Sequence, residues 1–468
     1  MRYNKLCLVA SAIVVAPLFY WYVGSKDIPL NLTRHSFTVS LLDAEGKLDI
    51  PLVLRNRFLT ESEGKENGFR EILLAIGNQF YFSTVDTNDS RLVARFKAIC
   101  EMLHCSPESP PPYTFVQLHL PFYEINSEPT DLQKDFRTIL SQRKFWTTDS
   151  YPLMASWVED NSPFLDHLRT IVRSDYFSIP IIDTGFQEDW SLQIYAGIEY
   201  SMIASLGSSL KCRALFFAGN GDWHEALEDI IAGIYLEWHL LQMELSRAYF
   251  VENPPDFFVF ARQVIQTEEF LTDDHSQELL ATLLEAVNAC PPKMPGPNFY
   301  FTSRLLALNN VLAFKNWTRE SVFESPGIFL VPAEQVIAVL EGTCESSLSR
   351  YKRMTFDWNI VLNELFKGIE ELEQLSKGLS IEGMRDDTAR ALIAVQRSRY
   401  RQFEQKWRDF EKTARDNSRH LSRAKRSELL GKFSFIQGSS SATTEERFID
   451  RHETWLRLKS EIELCLVE

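Results

Sequence analysis

Six arginines recur on one side of a long predicted helix near the C-terminus, where their side chains could together bind an anion. They are Arg390, Arg397, Arg401, Arg408, Arg415 and Arg419. At 100° per residue these positions fall within about 40° of one another. Guanidinium groups form paired hydrogen bonds with phosphate and carboxylate, so anionic lipid headgroups or another polyanion are candidate ligands. Acidic residues four positions before three of these arginines also fit a solvated helix face with internal ion pairs, which is the interpretation that we prefer.

Ser208 and Lys211 stand three positions apart in a predicted helix and match the Ser-x-x-Lys pattern of penicillin-recognising hydrolases. In those enzymes the lysine amine lies one helical turn from the serine hydroxyl that it helps to activate. The same spacing recurs elsewhere in this chain, for example at Ser62 and Lys65, and no Lys-Thr-Gly triplet accompanies it. We therefore expect the small residues around Ser208 to serve close helix packing, and we predict no catalytic residues.

His224 and Glu228 lie four positions apart on one predicted helix face, a spacing that could bind a metal. The second histidine of the His-Glu-x-x-His motif is missing, so a structural role is expected for both. Asp274, in the sequence Asp-Asp-His, is interpreted as part of a helix cap. We predict no metal site and no cofactor. The alternative is an exported hydrolase in which groups such as His224, Glu228 or Asp274 meet only in the folded chain.

Six cysteines follow the first one at Cys7, and they are spread too widely for a small disulfide scaffold. Cys100 and Cys105 could form a disulfide only if the helix that carries them ends between them. On a regular helix an offset of five residues turns the two side chains about 140° apart. We therefore expect buried free thiols.

The N-terminal segment Leu6–Val23 contains 18 residues without a charge, with basic residues before it. At about 1.5 Å per residue this run is just long enough to cross a hydrocarbon core. It ends in four consecutive aromatic residues, as interfacial belts do, and it lacks a small-x-small cleavage site. These features predict an uncleaved signal anchor over residues 1–27, a cytoplasmic N-terminus and an extracytoplasmic body.

The composition of the whole chain limits the classes of partner. Asp and Glu together number 64 against 49 Lys and Arg, which gives a net charge of -15. A chain with this charge has no global excess of cations for non-specific nucleic-acid binding. With 45% apolar residues it can build a sizeable core, so we expect a folded protein rather than a disordered one.

The elements that position these residues are predicted to be mainly α-helical. The exception is an alternating pattern that favours a small β-hairpin near residues 37–55, with Pro51 restricting its second strand to an edge. Asn161-Ser162-Pro163 predicts a helix start with a cap and a first-turn proline.

A longer helix is expected to stop at Gly219-Asn220-Gly221, and the next one begins at Trp223. So short a joint predicts an antiparallel αα-hairpin. Residues 213–238 resemble the helix-turn-helix unit of tetratricopeptide repeats, but the pattern occurs once, so we expect a single hairpin and no solenoid.

Proline-rich breaks suggest the domain organisation. The signal anchor of residues 1–27 precedes a helical domain over 28–290, which includes a small N-terminal extended region. The C-terminal helical region covers 298–468, and its main feature is a long antiparallel hairpin at about 355–420, with a turn near Gly378–Gly383.

Two stretches of this chain carry a resemblance to a known family. They are Tyr151-Pro-Leu-Met-Ala-Ser-Trp-Val-Glu-Asp-Asn161, running on to Tyr176-Phe-Ser-Ile-Pro180, and Arg213-Ala-Leu-Phe-Phe-Ala-Gly-Asn-Gly-Asp-Trp-His-Glu-Ala-Leu-Glu-Asp229. Both resemble an uncharacterised family of exported α-helical proteins of planctomycete-type bacteria. The resemblance covers roughly residues 65–375, and Asp357-Trp358-Asn359 looks similar to a later family segment. It implies an envelope location and a helical body, and it transfers no catalytic residues.

Together these patterns lead to one functional hypothesis. The chain is expected to be a single-pass membrane protein whose body serves as a scaffold or protein-binding module of the cell envelope. Its partners are then the membrane and at least one other protein, and no enzymatic activity is predicted. An exported hydrolase and an anion-binding protein are the two alternatives.

Overall fold

The computed structural model describes much of the chain between residues 31 and 467. Apart from short gaps, the described stretches are residues 31–77, 90–116, 130–180, 192–242, 256–291, 357–376 and 441–467, with isolated positions elsewhere. The predicted membrane segment Leu6–Val23 lies outside them. No helix within these stretches combines the length and the apolar character needed to cross a membrane.

The described chain is mainly α-helical, which confirms the predicted fold class. In chain order the helices are α1 (Ser36–Val39), α2 (Ile50–Ser62), α3 (Gly68–Ile76), α4 (Ser90–Met102), α5 (Asp131–Gln142), α6 (Pro152–Ile171), α7 (Leu192–Gly219), α8 (Trp223–Gln242), α9 (Phe257–Ile265), α10 (Glu268–Leu271), α11 (Ser276–Ala289), α12 (Trp358–Ser376) and α13 (Ser441–Val467). A short 3-10 helix, Leu32–Arg34, precedes α1. The described residues contain isolated β-bridges but no strand.

The predicted β-hairpin near residues 37–55 is wrong. Helices α1 and α2 occupy residues 37–39 and 50–55 of that stretch, where the strands were expected, and an antiparallel bridge joins Leu42 to Leu48. The reason lies in Pro51, which is the second residue of α2. A first-turn proline loses no helical hydrogen bond and has the φ angle that the helix needs, so it starts a helix here rather than interrupting a strand.

The chain divides into two compact units, each assembled from three separate segments. The first unit contains Met1–Asp49, Ser303–Lys377 and Ser398–Ala442. The second contains Ile50–Thr302, Gly378–Arg397 and Thr443–Glu468.

In the first unit, α12 packs against the segment that begins at Asn31. Its N-terminal end binds the start of the described chain, because the Asn31 N–H donates to Asn359 Oδ1 at 2.8 Å. Phe37 and Phe366 meet edge to face with ring centroids 5.3 Å apart. The inner face of α12 is apolar, and its buried residues include Trp358, Leu362, Leu365 and Ile369.

The core of the second unit is built around the predicted hairpin of α7 and α8. The joint has the expected chemistry, because Gly221 takes a φ of +79° and Asp222 Oδ1 accepts the Glu225 N–H at 3.4 Å. The two helices therefore lie side by side as antiparallel neighbours, as the short connection predicts.

Two segments pack closely against this hairpin, and glycines make room for them. A Cβ atom at Gly219 would overlap the backbone of Trp146, whose N–H donates to Leu215 O at 3.3 Å. A Cβ atom at Gly233 would overlap the ring of Phe257, the first residue of α9. The small residues of the hairpin thus permit contacts with the chain outside it.

Candidate functional site

A fully buried ion pair joins the two helices of the α7–α8 hairpin near their joint. Arg213 on α7 donates from Nε to Asp229 Oδ2 at 2.8 Å and from Nη2 to Asp229 Oδ1 at 2.6 Å. Both side chains have 0% exposed surface. The bidentate geometry satisfies both carboxylate oxygens, which a buried carboxylate needs because it has lost its contact with water.

Helix α6 joins the same pair from the other side. Arg169 donates from Nε to Asp229 Oδ1 at 2.7 Å and from Nη1 to Glu225 Oε2 at 2.5 Å. Arg213 also reaches Asp166 Oδ1 on α6 at 2.8 Å. We call Asp166, Arg169, Arg213, Glu225 and Asp229 the arginine network. It connects α6, α7 and α8 through charge-assisted hydrogen bonds.

The electrostatics of the arginine network favour the ionised forms of Glu225 and Arg169. Burial opposes ionisation of Glu225, but the hydrogen bond and the positive charge of Arg169 outweigh it and lower the pKa of that carboxyl. For Arg169 burial acts against the charged form, and Asp229 and Glu225 together raise the pKa of the guanidinium. Because each charge binds its neighbours, the network offers no uncommitted base or nucleophile.

Farther along α8, the buried carboxylate of Glu237 contacts α9 and α13. Glu237 Oε2 accepts the N–H of Phe257 at 2.9 Å and so binds a donor at the start of α9. Arg451 of α13 lies 3.3 Å from Glu237 Oε1. Within the described residues Glu237 Oε1 and Arg451 Nη1 have no hydrogen-bond partner. Burial raises the pKa of Glu237 to about 7, and the charge of Arg451 opposes this shift.

Two further buried titratable groups lie in the second unit. Burial lowers the pKa of Lys211 to about 8, and its Nζ lies 5.3 Å from the centre of the Phe260 ring. Burial also lowers the pKa of His239 to about 4. His239 Nε2 lies 2.9 Å from Val172 O, and because a carbonyl can only accept, the neutral ring donates. Buried groups with shifted pKa values are candidates for a function, although structural networks produce the same shifts.

Two arginines of the candidate anion-binding stripe bind other side chains of the protein. Arg390 Nη2 donates to Ser460 Oγ at 3.0 Å. Arg397 Nη2 contacts Asp450 and Glu453 at 2.5 and 2.8 Å. Arg401 is exposed. The other three arginines, Arg408, Arg415 and Arg419, lie outside the described residues. The first two arginines therefore contact α13, whereas the ion pairs expected from the sequence lie within the stripe's own helix.

The other candidate residues do not converge on one site. Ser208 Oγ donates to Ala204 O of its own helix at 3.2 Å, while its predicted partner Lys211 lies against Phe260. His224 is exposed beside Glu225, and Glu228 Oε2 accepts from Arg173 at 2.7 Å.

Asp274 is also exposed, in the turn that precedes α11. No group of three or more potential metal ligands occurs in the part of the chain that the structure describes.

The sequence analysis missed the buried charges because no local motif marks them. A signal was present, since Arg213, Asp229 and Glu237 each interrupt a largely apolar helix face. A charge at such a position requires a partner, but the sequence does not indicate which one.

Comparisons with protein-family models, with curated proteins and with solved structures found no match to this chain.

Proposed function

We propose that this protein is a membrane-anchored scaffold whose helical body binds another protein on the extracytoplasmic side of the cell envelope. The uncharged run Leu6–Val23 and the basic residues before it support the anchor. The resemblance of residues 65–375 to exported helical proteins of planctomycete-type bacteria supports the location. The helical body supports a role in binding rather than catalysis.

The arginine network is the observation that carries the binding role. It fixes α6, α7 and α8 in one arrangement, since each buried charge would be left without compensation if one helix moved. A pre-organised surface loses less conformational entropy when a partner binds. Each charge of the network is paired with another of its charges, so none is left for catalysis. This arrangement suits a rigid binding surface better than an active site.

The hairpin of α7 and α8 adds a second line of support. Its small residues and its short joint are similar to one unit of a tetratricopeptide repeat, and stacked helical hairpins of that kind form extended protein-binding surfaces. This chain would present one such hairpin, braced on α6.

Alkaline carbonate extraction of membranes tests the anchor. The full-length chain should remain in the membrane pellet. Replacing Val14 and Val15 with arginine places two charges in the centre of the apolar run, at a cost of roughly 2.5 to 3.5 kcal/mol each, and should increase release. The matched double replacement with leucine should behave as the native chain does. Release of the native chain into the soluble fraction would contradict the anchor.

Chemical crosslinking in intact cells followed by co-purification tests the scaffold. The control bait joins residues 1–27 to an unrelated soluble domain, so that neighbours acquired through the anchor alone are subtracted. A protein recovered with the full chain and absent from the control should then bind the purified full chain saturably. If the full chain recovers nothing beyond the control, the scaffold proposal fails even where the anchor is correct.

A further inference from the structure

The C-terminus of α4 brings two cysteines together by folding back on itself. The helix ends at Met102, between Cys100 and Cys105, which is the condition that a bridge between these residues requires. His104 takes the left-handed conformation with a φ of +53°. The Cys105 N–H then donates to Cys100 O at 2.9 Å. This hydrogen bond across six residues, with a left-handed residue before its donor, is the Schellman ending of a helix.

A Schellman ending brings the side chains of these two positions next to each other. The two thiols differ in exposure. Cys100 is only 1% exposed, whereas Cys105 is half-buried. Both are free thiols in the structure. One member of the pair is therefore open to a reagent and the other is held behind it.

A cation from the neighbouring helix α3 lies beside the more exposed thiol. Arg70 Nε donates to Leu103 O at 2.9 Å, which fixes its guanidinium against the turn. The neighbouring Cys100 thiol lowers the pKa of Cys105, burial opposes this, the charge of Arg70 lowers the pKa further, and that of Glu71 raises it. The neighbouring Cys105 thiol and burial raise the pKa of Cys100. A thiolate that is accessible and flanked by a cation is the reactive form of cysteine.

We infer that Cys100 and Cys105 form a thiol–disulfide exchange site that accepts a small or protein disulfide as its oxidant. The Cys105 thiolate attacks one sulfur of the external disulfide, whose other sulfur leaves as a thiolate. Cys100 then releases its proton to solvent and attacks the Cys105 sulfur, which forms the Cys100–Cys105 bond and expels the second external thiolate. The protein pair is oxidised by two electrons, and the external disulfide is reduced to two thiols.

The other described cysteines in buried positions do not share these features. Cys212 and Cys290 are fully buried, and burial raises the pKa of both thiols, that of Cys290 to about 12. They should stay reduced under conditions that oxidise the pair. The inference rests on the end of α4 alone and is independent of the proposed scaffold.

Peptide mapping of the full-length chain tests the inference without any substitution. Trypsin releases residues 98–134 as one peptide that contains both cysteines and no other. After incubation of the reduced, folded chain with oxidised glutathione, this peptide should have lost two hydrogens and should resist alkylation. Cleavage after Met102 should give two fragments that separate only on reduction. A peptide that retains two alkylatable thiols would overturn the inference.

Two substitutions assign the roles of the sulfurs. In Cys100→Ser the second step is impossible, so glutathione should remain attached at Cys105. In Cys105→Ser the remaining thiol is buried, so the peptide should stay unmodified. Cys465→Ser serves as the matched control and should leave the loss of two hydrogens unchanged. A glutathione adduct on Cys105 that persists in the native chain would also overturn the inference, because it would show that Cys100 does not attack.

Discussion

At the residue scale, Asp229 is the group on which the second unit depends most, since two arginines share its carboxylate. Asp229→Asn removes the charge of the fully buried carboxylate that binds both of them. Breaking a buried ion pair from one side costs about 3 to 5 kcal/mol, because the remaining charge stays buried without compensation. We expect a loss of this size in the free energy of unfolding, measured by urea denaturation monitored by circular dichroism.

Glu228→Gln is the matched control for that measurement. Glu228 also pairs with an arginine, Arg173, but this arginine is 45% exposed. Exposed pairs contribute about 0 to 1 kcal/mol. Equal effects of the two substitutions would mean that the arginine network contributes no more than a surface pair.

The carboxyl of Glu237 predicts a dependence of stability on pH. Burial raises its pKa from 4.5 to about 7 in the folded chain, so between these values the folded state holds a proton that the unfolded state has lost. The contribution of Glu237 to stability is therefore fully present below about pH 4.5, falls as the pH rises, and levels off above about pH 7.

The measurement compares the native chain with Glu237→Gln, whose amide does not titrate. The free energy of unfolding of the native chain minus that of the variant should decrease between pH 4.5 and 7. Taking the difference removes the opposing contribution of His239, whose lowered pKa of about 4 makes stability rise from there to its ordinary value of 6.5. A difference that is flat or rises over this interval would contradict a raised pKa of the Glu237 carboxyl in the folded chain.

At the element scale, α5 begins with a reciprocal cap. Thr130 Oγ1 accepts the Gln133 N–H at 3.3 Å, and Gln133 Oε1 accepts the Thr130 N–H at 2.9 Å. Thr130→Ala removes an acceptor for a helix-end N–H, which typically costs about 1 kcal/mol. We expect this loss in thermal or urea denaturation.

Thr138→Ala is the control on the same helix. The Thr138 hydroxyl donates to Lys134 O, which already belongs to the helical hydrogen-bond ladder, and the contact is exposed. Its removal should change the free energy of unfolding by less than about 0.5 kcal/mol. If Thr130→Ala changes the free energy of unfolding as little as Thr138→Ala does, the reciprocal cap does not stabilise α5.

The ends of the helices show which features a local sequence pattern can predict. The glycines and Asp222 at the α7–α8 joint predicted a turn that the structure confirms, because a turn depends on the φ angles and caps of adjacent residues. The start of α6 was placed at Asn161-Ser162-Pro163, whereas the helix begins at Pro152. Ser162 Oγ donates to Val158 O at 2.7 Å, so a residue expected to cap the helix instead bonds back into it.

The pairing of distant charges could not be predicted in the same way. Arg213 and Asp229 are 16 positions apart, and Arg169 lies 60 positions before Asp229. Each residue alone indicates only that a charge sits on an apolar helix. Which charges meet depends on how α6 packs against the hairpin, and no local pattern encodes that packing.

At the scale of the whole molecule, α13 completes the second unit from the far end of the chain. Trp455 Nε1 donates to Val287 O at 2.8 Å, and Arg262 on α9 binds Glu461 with distances of 2.9 and 2.5 Å. A chain that ends at residue 440 would expose the apolar surface that α13 covers. We expect it to unfold at a lower urea concentration than the full chain and to bind a dye specific for exposed apolar surface.

Adding a peptide of residues 441–468 to the shortened chain provides the control. If α13 completes the unit, the peptide should bind, restore the urea midpoint in a concentration-dependent manner and displace the dye. Arg262→Gln in the shortened chain should weaken this rescue, because it removes the ion pair with Glu461. A shortened chain as stable as the native one would contradict the role of α13.

The position of α13 has a consequence for synthesis. The second unit begins at Ile50, and its last segment is Thr443–Glu468. A ribosome that adds roughly 5–20 residues per second takes on the order of 20 to 80 seconds to get from the first to the second. Throughout this interval the nascent unit lacks its closing helix. A message truncated before the codons of Thr443–Glu468 would therefore yield a product with lasting exposure of apolar surface, and such products are removed by the proteases of quality control.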